Sequence, residues 1–207
     1  MVLHVDDSAK RALTRIIGGL RSRRLEVGIS QNALSEGLPV RGRAISEWET
    51  GTIEPTLGHL ILWSRELGLR LVIVGPDGEL RYGPQRQRPG EAQEIFDRRR
   101  LAAPLRNRRQ ALGMSQGRLC ELLGVTRDSV HRWELARVPP RPMAHVVWAQ
   151  TLGCSIALRP IDPRGDAGAS APLRSLGGGV GQRPAGGVGV VRRPIPSSCR
   201  QCPGFRI

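Results

Sequence analysis

The sequence predicts an all-α protein built from two tandem helical units. Each unit is followed by a short strand, and the two strands form a small two-stranded β-sheet. Three observations carry this reading. First, the chain repeats itself at a displacement of 85 positions: LRSRRLEVGISQNALSEG falls on LRNRRQALGMSQGRLCEL without a gap, with Gly28 on Gly113. The register continues through Trp48/Trp133, Glu49/Glu134, Pro55/Pro140, Trp63/Trp148 and Leu67-Gly68/Leu152-Gly153. A repeat this long is a duplicated folding unit, not a short solenoid module. Second, apolar residues within each copy recur at helical spacing. Third, each copy closes on a short β-branched run, LRLVIV and CSIALR.

The elements follow in order. Ala9, Leu13, Ile16, Ile17, Leu20 and Leu25 share one face of a helix over 8–26, which Gly28 stops. Ser30 caps a short helix over 31–37. A third helix runs over about 42–50 and ends at Gly51, an expected left-handed cap. A fourth follows Pro55, over roughly 56–67, and a strand covers 69–74. In copy two the corresponding helices fall at about 104–112, 116–122, 127–135 and 141–152, with a strand over 154–159. Pro104 fits a helix only near its first position, so that helix is expected to start there, with 91–102 forming a separate turn or two. These elements place one unit at 8–74 and the other at 91–159, and the Leu, Ile, Val and Ala of each repeat make two small helical cores feasible. Residues 75–90 read as an aperiodic linker. Residues 160–207 are rich in Gly, Pro, Arg, Ser and Ala and are expected to be disordered, because they bury too little apolar surface to offset their ordering entropy.

The formal net charge is +14, and Lys10 is the one lysine; the remaining cationic residues are arginine. Arginine forks onto phosphate oxygens and onto the guanine edge, so such a balance points to nucleic acid. No apolar run is long enough to span a bilayer. The N-terminus, with Asp6 and Asp7, lacks the pattern of a signal peptide. A cytoplasmic, nucleoid-associated protein is expected. Cys120 and Cys154 occupy apolar positions and read as buried thiols. Cys199 and Cys202 form a lone CxxC, which is half a zinc site with nothing nearby to complete it. His4, His59, His131 and His145 have no metal-ligand spacing, and no phosphate loop or nucleophile arrangement is present. No metal, cofactor or enzymatic activity is expected.

The segments SQNALSEGLPVRGRAISEWETG and SQGRLCELLGVTRDSVHRWELA resemble the helix-turn-helix of the Cro/lambda-repressor family, also called the XRE family. The resemblance covers about 15–68 and 100–153. It implies two lambda-repressor-like helix-turn-helix domains that bind double-stranded DNA. In such a motif the second of two crossed helices enters the major groove while the first lies over the phosphate backbone. Gln31 and Gln116 open the second helix of their copies, where the family uses a side-chain amide on phosphate. The exposed recognition-helix positions are Arg43, Ser46, Glu47 and Thr50 in copy one, and Arg127, Asp128, His131 and Arg132 in copy two. Arginine can take both guanine acceptors, and aspartate can accept from cytosine N4. Ile45, Trp48, Val130 and Trp133 face the core. Arg24 with Glu49, and Arg109 with Glu134, match a family ion pair that ties the first helix to the end of the recognition helix. Arg21, Arg23, Arg106 and Arg108 are expected to be solvated or near phosphates.

Each copy departs from the pattern. Copy one has Pro39 where the turn usually holds Gly, so either Gly37 supplies the left-handed residue or the second helix ends early. Gly42 is expected to weaken the recognition helix. Copy two has the turn Gly124-Val125-Thr126, with Thr126 as N-cap, but Ala136 stands at the closing glycine and Pro139-Pro140 impose the stop. The strands resemble those of HipB-type repressors, where one strand from each subunit pairs to hold a dimer. Here 69–74 would pair with 154–159 across a pseudo-two-fold axis. The expected function is sequence-selective transcription regulation with two recognition helices in adjacent major grooves. An antitoxin-type repressor with a protein toxin as partner, association with a second copy of the chain, and a protein-interaction scaffold are the alternatives.

Overall fold

The computed structural model describes residues 2–38, 40–81 and 86–161. Copy one comprises α1 (Asp7–Glu26), α2 (Gln31–Gly37), α3 (Gly42–Glu49), α4 (Leu57–Glu66), β1 (Leu69–Gly75) and β2 (Gly78–Glu79). Copy two comprises α5 (Gln93–Ala111), α6 (Gln116–Leu123), α7 (Arg127–Glu134), α8 (Pro142–Thr151) and β3 (Ser155–Pro160). The CxxC and nearly all of the expected tail lie outside the described residues. Pro160, expected to begin that tail, is the last residue of β3.

Local chemistry sets most boundaries. Asp6, Ser30, Thr56, Ser115 and Thr126 each accept a backbone N–H of the helix they precede, satisfying a donor that has no intrahelical partner. Gly51 and Gly124 take the left-handed conformation after their helices. In copy two the position equivalent to Gly51 is Ala136, and it adopts φ 54°. The left-handed turn therefore forms without its glycine, at a steric cost of roughly 1–2 kcal/mol. This departs from the expectation that Pro139-Pro140 alone impose the stop.

Gly37 does not supply a left-handed turn in copy one. Helix α2 ends there, and Leu38 continues in extended backbone, whereas α6 runs one equivalent residue further. Gly42 is the first residue of α3, where glycine costs less than in the interior, so the expected weakening is reduced.

The predicted start of a helix at Pro104 is corrected. Helix α5 continues through Pro104 as the full-length counterpart of α1. Phe96, Leu101, Ala102 and Leu105 are buried along it, and that burial offsets the missing hydrogen bond to the Arg100 carbonyl.

The sheet has three strands in the order β2-β1-β3, one more than expected. β1 turns back through Pro76-Asp77 into β2, with Gly75 opposite Gly78, so part of the expected linker is a tight hairpin. β1 and β3 pair antiparallel, from Leu69↔Pro160 to Val74↔Ser155.

Two small cores are feasible from the sequence, but the two copies share one. One cluster of buried side chains includes Leu13, Leu20 and Trp63 together with Leu105, Trp148 and Leu152. The packing is crosswise. α1 lies against α8 and β3 of the other copy, while α5 lies against α4 and β1. A short helix-turn-helix unit buries little by itself; exchanging first-helix contacts across the sheet closes both units with one core. Polar contacts reinforce the exchange. Arg65 pairs with Asp97 at 3.1 Å between α4 and α5. Gln150 donates to Ser8 at 3.2 Å between α8 and α1. The Glu54 carboxylate accepts the Met143 N–H at 2.6 Å, so copy one caps α8, whose own N-cap residue Arg141 makes no side-chain cap.

Candidate nucleic-acid interface

In each copy one charged constellation fixes three helices. In copy one the Arg24 Nε and Nη2 donate to the two Glu49 oxygens at 2.6 and 2.8 Å, and Nη1 donates to the Ile29 carbonyl at 2.8 Å. The Gln31 amide donates to Glu49 Oε2 at 2.8 Å. Copy two repeats this: Arg109 grips Glu134 with both nitrogens of its fork, Nη1 donates to the Met114 carbonyl at 2.6 Å, and Gln116 donates to Glu134 Oε2 at 2.7 Å. The first helix, the start of the second and the end of the recognition helix are thereby held at fixed angles. Burial pushes the Glu49 carboxyl up, but hydrogen bonds from Arg24 and Gln31 outweigh it and hold the group below the ordinary carboxylate value. The hydrogen bond to Glu49 raises Arg24 further above its ordinary value against the opposing effect of burial.

The family resemblance assigned Gln31 and Gln116 to phosphate. In the structure one amide N–H of each is directed at the buried glutamate. A glutamine amide carries two N–H donors, so one remains for another acceptor. Arg23 and Arg108 differ from expectation: each donates through Nε to the last-turn carbonyl of the fourth helix of its own copy, at Leu67 and Leu152. Unpaired carbonyls at a helix C-terminus attract cations, and the two copies use the same contact. Arg21 lies 3.9 Å from Glu49, and Arg106 is exposed.

The recognition helices bury the apolar faces expected of them, but Ser46 and Glu47, expected to be exposed, are half-buried. Ile45 and Val130 are wholly buried, and Trp48 and Trp133 pack on Trp63 and Trp148 at 5.8 and 5.9 Å. These tryptophans are core and are not available to stack on bases. On the opposite face of α3, Arg43 is exposed and Ser46 and Glu47 are half-buried, with Arg43 paired to Glu47 at 2.8 Å. Thr50, just past the helix, is exposed, and its hydroxyl donates back to the Ser46 carbonyl at 2.9 Å. On α7, Arg127, Asp128, His131 and Arg132 are all exposed, and Arg132 pairs with Asp128 at 2.8 Å. Arg127 and His131 have no protein partner among the described residues.

No motif or apolar spacing marks the N-terminal arm in the sequence. The His4 N–H donates to the Leu123 carbonyl at 3.0 Å, and its imidazole Nδ1 lies 3.0 Å from the Leu122 carbonyl. Residues from copy one thus cover the end of α6, next to the turn into the recognition helix of copy two. Cys120 and Cys154 are buried free thiols, as expected. Among the described residues no three His, Cys, Asp or Glu side chains are grouped to hold a metal ion, and no helix is long and apolar enough to cross a membrane.

A short capped helix, a tight turn and a second helix with one apolar and one charged face, tied back to a preceding helix, define a helix-turn-helix protein, here with two such units in one chain. The similarities to known families agree. Residues 20–74 match the family model described as "Helix-turn-helix", and residues 100–160 match the model described as "Helix-turn-helix domain". Each copy is a helix-turn-helix domain of the lambda-repressor-like kind, the class found in DNA-binding regulators. No curated protein and no solved structure matches the chain.

Proposed function

We propose that this chain is a sequence-selective transcription regulator that binds double-stranded DNA as a single-chain pseudo-dimer, with α3 and α7 in adjacent major grooves. The observation that supports this best is the strand register. Val72 pairs with Ala157, its own counterpart in the repeat; Leu71 pairs with Leu158 and Ile73 with Ile156, so the pairs exchange under the 85-residue displacement. That reciprocity is the mark of a local two-fold axis. In a dimeric repressor such an axis sets recognition helices about one DNA turn apart, roughly 34 Å.

In this reading Arg127, His131 and Arg132, with Arg43 and Ser46 in copy one, face base edges. Thr50 and the second amide N–H of Gln31 and Gln116 face the backbone. Arginine–phosphate contacts supply most of the affinity, which falls steeply with salt. The test is selection of bound duplexes from a random pool, followed by footprinting of the enriched site. Two protected patches about one turn apart on one face of the duplex are expected. Arg127→Ala should relax selectivity at one position, whereas Gln116→Ala should weaken all sequences evenly. Binding that favours no sequence, with both variants changing affinity equally for every duplex, would refute the base-reading role.

A further inference from the structure

The two recognition helices carry the same ion pair with its sign reversed. Arg43 is the repeat counterpart of Asp128, and Glu47 is the counterpart of Arg132. In α3 the arginine comes first, with Arg43 Nε 2.8 Å from Glu47 Oε1; in α7 the carboxylate comes first, with Arg132 Nε 2.8 Å from Asp128 Oδ2. The exposed surroundings favour an ordinary helix-stabilising pair, and Asp128–Arg132 has the order that the helix dipole prefers. Arg43–Glu47 has the unfavourable order, with the cation in the first turn and the anion towards the C-terminus. The dipole therefore accounts for the order of the pair in α7 and not for its order in α3.

The geometry does suit base recognition. In both pairs the carboxylate occupies Nε, which leaves the two terminal nitrogens of the guanidinium to meet O6 and N7 of guanine together. A guanidinium already held in place loses less rotamer freedom on binding. The paired carboxylate also cancels the net charge, so the pair adds little to sequence-independent attraction for phosphate.

We infer that the chain reads a directional, non-palindromic site: a buttressed Arg43 selects guanine in one half, and a buttressed Arg132 selects guanine in the other half at a different distance from the centre. The inference rests on the DNA-reading role proposed above. A local two-fold axis brings positions 43 and 128 to equivalent places over the duplex, where arginine and aspartate cannot both favour the same base. The two arginines are four residues apart in the repeat frame, about 6 Å along a helix, or roughly two base pairs. Fixed half-site order gives the bound protein a fixed orientation along the DNA, which a homodimer on a palindrome lacks.

The test compares duplexes selected by the wild-type chain with those selected by the double variant R43D/E47R, which gives copy one the order of copy two. The wild type should enrich one site class with unlike halves. It should bind that class on the order of tenfold or more tighter than an inverted repeat of either half. In the variant the first-half guanine should move by roughly two base pairs, bringing the site closer to an inverted repeat. Should the double variant unfold, E47Q and D128N address the same question with near-isosteric side chains: each should blur guanine preference in its own half alone. Selective binding to a palindrome by the wild type, or guanine preferences unmoved by these changes, overturns the inference while leaving DNA reading intact. No enrichment of any sequence overturns both.

Discussion

The two copies share a plan and differ in how each solves the same local problem. Copy one closes its recognition helix with Gly51 and caps its fourth helix with its own Thr56. Copy two closes with a left-handed Ala136, and its fourth helix is capped from outside by Glu54 of copy one. Copy one has Leu60 in its fourth helix where copy two has His145, fully buried with neither ring nitrogen hydrogen-bonded and tilted on Trp148 at 5.4 Å. What survived unchanged is the Arg–Glu–Gln constellation. Once two units share one core, copy two can tolerate locally poor choices because copy one holds it, but neither copy dispenses with the contacts that aim its recognition helix.

The largest effect should come from that constellation. Glu49→Ala and Glu134→Ala each leave a buried arginine without its partner and should cost about 3–5 kcal/mol, measurable by urea unfolding. Near-equal losses would establish that the copies use the pair in the same way; a loss in only one would break the equivalence.

His145→Leu restores the residue of copy one and should stabilise by about 1–3 kcal/mol at neutral pH, since it removes an unsatisfied buried polar group. It should also change the response to acid. Burial lowers His145 from the ordinary 6.5 to about 4, so the imidazole is neutral in the fold. Between those values the unfolded chain binds the proton and the folded chain does not. Stability from this group is therefore full above pH 6.5 and declines as the pH falls towards 4, by about 3 kcal/mol in all. Unfolding measured at intervals across that range should show a shallower decline in the leucine variant; an unchanged slope would mean that His145 is not the titrating group.

Glu54→Ala should cost about 1 kcal/mol, a typical capping loss, and Thr56→Ala should cost a similar amount in copy one. A silent Glu54→Ala would show that the cap supplied between copies is dispensable. Smallest, Ala136→Gly should raise stability by up to about 1 kcal/mol, because glycine occupies positive φ without a steric penalty. A rise in the thermal midpoint would confirm that copy two carries strain which copy one avoids.

Much of the candidate site was legible before any fold was known. The repeat aligned Arg24 with Arg109 and Glu49 with Glu134, and helical spacing separated the inward Ile45, Trp48, Val130 and Trp133 from the outward Arg43, Arg127 and Arg132. The inward turn of the Gln31 and Gln116 amides was not legible, because it depends on a carboxylate 18 residues away that only the folded chain brings within reach.

The sequence by itself determined where most helices begin and end and which residues of each copy correspond. These follow from capping chemistry, apolar spacing and an internal repeat, all of which act over short distances or are read directly from the letters. The tertiary structure alone decided that α1 and α5 pack into the opposite copy, that α5 runs on through Pro104, and that Ala136 takes a glycine's conformation. Each of these sets a local cost of a few kcal/mol or less against burial shared by both copies, and a shared core spans contacts that no local pattern encodes.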